Sequence, residues 1–176
     1  MAKSSATPAK AKKSAPKKTA PKKDAKKAVT TTKPKKKEAT INIKYDDKSA
    51  GQPELVVIFD AIRKMALPYA NKRALKLHEN TGGQFNLVSH KPVEIAGRKR
   101  EELWFVSALV QKGYVGFYYS ITDMPDNLKK EFSPEFMKCL KGKACFHIKK
   151  NDPLIMENIK KAIKIGFDEY VKKGWI

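Results

Sequence analysis

The first 40 residues hold no aromatic side chain, no arginine and, beyond Met1 and Val29, no large apolar group. A segment with so little to bury cannot offset the entropy of ordering its backbone, so residues 1–40 are expected to form a disordered tail. Acid is scarce there as well: Asp24 and Glu38 face 14 lysines, a net +12. Cysteine is rare throughout the 176 residues, with Cys139 and Cys145 alone. Two are too few for a disulfide framework, and their spacing matches no zinc signature, so reduced thiols in a cytoplasmic setting are expected. No apolar run approaches the ~18 residues that a membrane span needs, so no membrane partner is expected. The charged start leads into neither the apolar stretch of a secretory signal nor the Arg-rich pattern of a mitochondrial presequence.

What the tail does have is lysine in an imperfect repeat. Ser14–Lys18 reads SAPKK, Thr19–Lys23 reads TAPKK, and Asp24–Lys27 is a shortened DAKK; Lys33–Lys37 adds a second cluster. Proline denies the backbone its helical bonds and adjacent lysines repel, which keeps such a chain extended and solvated, ~35 Å end to end for 40 residues. Mobile cations of this kind neutralise phosphates, which lie one per ~1.7 Å along duplex DNA. Lys12, Lys13, Lys17, Lys18, Lys22, Lys23, Lys26, Lys27, Lys35, Lys36 and Lys37 are therefore the candidate contacts to a DNA or RNA phosphate backbone. With no arginine for bidentate guanine contacts and no aromatic for stacking, the contact is expected to be non-specific. The alternative is a solubilising tail with no dedicated partner.

Residues 41–51 read as a linker, with Ile41–Ile43 as one short strand of uncertain pairing. The folded domain is expected over 52–176, with the remaining net charge of +8 and length for one core. Pro53 suits a first helical turn, and Leu55, Ile58, Phe59, Ile62 and Met65 recur on one helical face up to Ala66, beyond which Leu67 precedes a proline. A polar stretch through Gly82-Gly83 leads to a strand, Gln84–Ser89. Val93–Ile95, a turn around Gly97-Arg98 and Glu102–Val110 read as a hairpin, and Gln111–Gly113 turns into Tyr114–Tyr119. The last two runs are almost wholly apolar or aromatic, which predicts central strands covered on both faces. Leu128–Phe132 suggests one helical turn, and Ser133-Pro134-Glu135 a capped short helix ending near Leu140. Ala144–Lys149 alternates as a strand, with Cys145 and His147 on one face. Asp152-Pro153 opens a last helix whose buried stripe is Ile155, Ile159, Ala162, Ile163, Gly166 and Tyr170, ending at Gly174. The fold class is α+β, a mostly antiparallel sheet with flanking N- and C-terminal helices.

Three stretches, Lys112–Tyr119, Leu140–Lys149 and the closing Gly174-Trp175-Ile176, resemble the YdhG-like family over roughly residues 53–176. The resemblance implies a small bacterial α+β domain without a shared catalytic motif. It also implies, as an alternative function, a frataxin-like iron or metal chaperone, as proposed for one member of that family. Frataxin-type binding uses an acidic ridge along a helix, and the first helix here departs from it, with Glu54 and Asp60 beside Arg63 and Lys64. The tail lies outside the resemblance and is similar to those of linker histones and some nucleoid-associated proteins.

Within the domain, Arg98 and Arg100 on an exposed hairpin are the best additional phosphate contacts. The lysines Lys160, Lys161 and Lys164 fall opposite the apolar stripe of the last helix and read as a solvated face. Neighbouring strands concentrate Trp104, Tyr114 and Tyr118 as core or, if one sheet face is open, as a groove for a small molecule or a protein. A Cys145–His147 thiolate pair lacks an oxyanion site and a third orienting group, so packing is the expected role of both. No catalytic residue, metal ligand or cofactor is assigned. The reading is a non-enzymatic cytoplasmic, nucleoid-associated protein held on nucleic acid by its tail, with a metal chaperone and a small-molecule binder or enzyme as alternatives.

Overall fold

The computed structural model describes residues 45–119 and 126–176. Helix α1 (Pro53–Ala66) opens on a proline that forfeits no intrahelical bond, and buries Leu55, Ile58, Phe59, Ile62 and Ala66. A 3-10 turn, Leu67–Tyr69, follows where Pro68 ends the helix. The chain then forms β1 (Leu75–Asn80), β2 (Gln84–Ser89), β3 (Val93–Ile95), β4 (Arg98–Arg100), β5 (Leu103–Gln111) and β6 (Tyr114–Tyr119). After the short helices α2 (Asp126–Lys129) and α3 (Pro134–Lys138) come β7 (Leu140–Lys141), β8 (Cys145–Ile148) and the long helix α4 (Pro153–Lys172). Ser133 caps α3 by accepting from the Phe136 amide at 3.2 Å, and Asp152 caps α4 by accepting from the Ile155 amide at 3.1 Å.

Six strands form one antiparallel sheet in the order β1-β2-β5-β6-β8-β7, and β3 and β4 form a separate ribbon. The register pairs Phe85 with Ala108, Ala108 with Phe117 and Phe117 with Phe146, so these side chains share one face. Helices α1 and α4 lie against that face. The core there includes Phe59, Phe85, Phe105, Phe117, Phe136 and Phe146, all fully buried. A register shift between Leu87 and Val88 sets Val88 opposite Trp104. The extra residue turns Phe105 into the core beside Val106 and leaves Trp104 on the other face. The C-terminus is tied to the sheet: the Ser89 hydroxyl donates to the Trp175 carbonyl at 2.6 Å and the Tyr170 hydroxyl to the Trp104 carbonyl at 2.9 Å.

The α+β architecture with helices flanking a mostly antiparallel sheet is as expected. Several details differ. Strand β1 stands where the sequence predicts only a polar stretch; it is an edge strand with Leu75 buried and Lys76, Leu77 and His78 exposed, so half its pattern looks like a loop. Strand β7, two residues long, stands where the sequence predicts a helix end. The hairpin pairs Val93–Ile95 with Arg98–Arg100 rather than with β5, because Ala96 and Gly97 both take positive φ (51° and 73°) and close a two-residue turn. The central strands β5 and β6 are covered by helices on one face only, and the other face holds half-buried Trp104, Leu109, Tyr114 and Tyr118.

Candidate ligand groove on the open sheet face

On the face away from α1 and α4, alternate residues of β2, β5 and β6 line a groove of about 340 Å3. Gln84 and Asn86 come from β2, Trp104, Ser107, Leu109 and Gln111 from β5, and Tyr118 from β6. Tyr45, Asp46 and Lys48 form its remaining wall. This wall belongs to the stretch read as linker, and from Tyr45 onward it is bonded to the domain. The Tyr45 hydroxyl donates to the Val110 carbonyl at 2.7 Å, and the Lys48 ammonium donates to the Gln111 side chain at 3.3 Å. Gln52 spans the same edge, donating to the Gln111 carbonyl at 3.2 Å and accepting from the Gly113 amide at 2.8 Å. Gly83 permits the approach: a Cβ there would stand 2.6 Å from the Tyr45 hydroxyl oxygen. Asp47 holds the turn by accepting from the Ser49 amide at 2.9 Å, a bond that keeps its carboxyl below the ordinary carboxylate range.

Asn86 is the least exposed residue of the groove, at 1%. Both polar atoms of its side chain, Oδ1 and Nδ2, are buried without a hydrogen-bond partner. Such groups cost about 1–3 kcal/mol each when left unmade. The buried Asn158 in α4 shows the usual solution: its oxygen accepts from the Ser133 amide at 2.9 Å and its nitrogen donates to the Leu154 carbonyl at 2.7 Å. Asn86 therefore stands as an unsatisfied donor and acceptor, side by side in one plane, on a groove with aromatic walls.

Of the aromatic residues singled out, Trp104 and Tyr118 line the groove and Tyr114 does not. Tyr114 instead stacks on His147, with ring centroids 3.8 Å apart and planes 13° from parallel. Tyr118 lies over Gly116, where a Cβ would meet its ring at 2.9 Å. Burial, with the nearby Cys145 thiol adding to it, pushes the Tyr118 phenol up to about 12. Cys145 and His147 share a face, but each has another partner: the thiol is hydrogen-bonded to Tyr118 and the imidazole is stacked on Tyr114. Burial raises the Cys145 thiol, and burial with Lys141 and Lys149 lowers His147 below the ordinary imidazole value. A protonated thiol beside a neutral imidazole is a poor nucleophilic pair.

Arg98 and Arg100 are exposed on β4, paired with Ile95 and Val93, so both lie on one face of the ribbon, with Arg98 directly beside the turn. Lys12 to Lys37, the tail contacts expected from sequence, lie outside the described residues. Among the described residues no cluster of three or more His, Cys, Asp or Glu side chains is placed to hold a metal, and no helix is long and apolar enough to cross a membrane. Sequence reading missed Asn86, Gln84, Ser107 and the Tyr45–Lys48 wall. The polar alternation of Gln84 and Asn86 looks like any solvated strand face, and only their near-complete burial distinguishes them.

No family model, curated protein or solved structure matches the chain.

Proposed function

We propose that this is a non-enzymatic binding protein whose folded domain takes a small planar ligand in the sheet-face groove. The observation that carries the reading is the paired unsatisfied donor and acceptor of buried Asn86, in a groove that Trp104 and Tyr118 also line. A groove of about 340 Å3 is within the range of small-molecule sites, where a few polar groups orient a ligand among apolar walls. Ligand-observed NMR of planar aromatic fragments tests it. Binding that disappears in Leu109→Trp, which fills the groove, supports the reading; binding unaffected by that change, or no binding at all, opposes it.

A second reading concerns the tail and rests on its net charge of +12 over 40 residues. So dense a charge attracts polyanions, and the proposed partner is the phosphate backbone of DNA or RNA without sequence preference, in a cytoplasmic, nucleoid-associated setting. Exposed Arg98 and Arg100 are available as a second contact from the domain. The three stretches quoted above support grouping residues 53–176 with the YdhG-like family. An iron-chaperone role receives no support from an acidic ridge, since α1 offers only Glu54 and Asp60, and Asp60 is paired with Arg63 at 2.7 Å.

A further inference from the structure

We infer that the groove binds a nucleobase, held edge-on by the Asn86 carboxamide and face-on by its aromatic walls. The inference rests on the groove being a ligand site and names the chemistry it would take. The Asn86 carboxamide holds one unpaired acceptor and one unpaired donor in a plane, buried at the groove wall, and a ligand meets both once the side chain turns toward the groove. Its complement is a planar edge that carries a donor and an acceptor on neighbouring atoms. Adenine, cytosine, guanine and uracil each have such an edge, and paired Asn–adenine contacts are a standard form of base recognition. Indoles, phenols and simple hydrocarbons do not have one.

The remaining lining agrees with a base rather than with a charged metabolite. Trp104 and Tyr118 supply aromatic surface of the kind on which bases stack. At the rim, Asp46 opposes Lys48, so the entrance carries both signs and no concentration of positive charge for a polyphosphate. The Lys48 ammonium is moreover already turned to Gln111 at 3.3 Å. The occupant is thus an uncharged heteroaromatic group, with sugar or backbone left at the mouth. Asn86 also makes no structural bond that would account for a carboxamide at this buried strand position. A leucine there would satisfy the fold better, so its polar atoms have a role only when something else fills the groove.

The same base chemistry is offered by a free nucleoside and by a base in a single strand. Calorimetry on the full chain separates the cases, with adenosine as the probe and indole as a planar control that lacks the paired edge. The expected result is saturable adenosine binding that weakens at least tenfold in Asn86→Leu, while that variant melts at the same or a higher temperature. Equal binding of indole and adenosine, unchanged in Asn86→Leu, leaves a ligand groove but overturns the nucleobase. Binding of neither overturns both. If Asn86→Leu melts markedly lower, the carboxamide is structural and the inference falls; the nearly isosteric Asn86→Asp, which replaces the donor with a second, charged acceptor, should lose adenosine as well. An oligodeoxyadenosine compared with an abasic strand of equal length then identifies the source. A loss of affinity in the abasic strand assigns strand-borne bases, and equal affinities assign the free nucleoside.

Discussion

Replacing Gly166 by alanine places a methyl group against the side of the sheet that carries the core. Gly166 lies in the middle of α4, fully buried, where a Cβ would stand 2.6 Å from Tyr119 Cε2 and 2.9 Å from its hydroxyl oxygen. Tyr119 cannot easily yield, since it is 3% exposed and stacked on Phe117 with centroids 5.9 Å apart. Overpacking of this kind costs about 1–3 kcal/mol. Against it stands the helical preference of alanine over glycine, about 1 kcal/mol. The net expectation is destabilisation of up to about 2 kcal/mol, the difference between those two effects. Urea melts followed by tryptophan fluorescence measure it, and Tyr119→Leu supplies the control. In that background the clash is gone, so Gly166→Ala should become neutral or stabilising by up to about 1 kcal/mol. If Gly166→Ala stabilised the protein with Tyr119 present, the close approach of α4 to β6 would be refuted.

Phe59 and Ile163 are both fully buried, so truncating either to alanine should cost about 2–5 kcal/mol in the same melts. Lys160→Ala, on the exposed face of α4, should stay within about 0.5 kcal/mol. Because burial favours the neutral phenol, Tyr118 keeps its proton more tightly folded than unfolded, moving from 10.0 to about 12. Its contribution to stability is complete below pH ~10 and is lost as pH rises toward ~12, so Tyr118→Phe should flatten that alkaline decline when melts are run across this range. For the tail, engagement of about eight lysines gives a slope near −7 for log affinity against log salt on duplex DNA, nearly independent of sequence, and deletion of residues 2–40 should abolish it.

The helices were legible because their evidence is local. Pro53 and Asp152-Pro153 mark the starts, and the spacing of Phe59, Ile62, Ile159 and Ile163 fixes which side is buried. The central strands announced themselves by apolar content but misled about coverage. Val-Ser-Ala-Leu in β5 looks the same whether a helix or a groove lies beyond it. Strand β1 escaped because an edge strand exposes Lys76, Leu77 and His78, and its pairing with β2 is a non-local fact. The groove was half visible: Trp104 and Tyr118 drew attention as aromatics, whereas Tyr114, grouped with them, is stacked on His147. Asn86 was invisible, since an asparagine between Phe85 and Leu87 acquires meaning only once its burial and its missing partners are known.

The side-chain amide of Asn86 reports directly on the groove. In a 15N–1H correlation spectrum of the full chain, its amide signals should shift as adenosine is added, the proton that donates to the base moving downfield, with Trp104 ring signals moving in step. Adenosine-induced shifts that spared the Asn86 amide, or a spectrum unchanged at saturating adenosine, would contradict the assignment of this face as a nucleobase site.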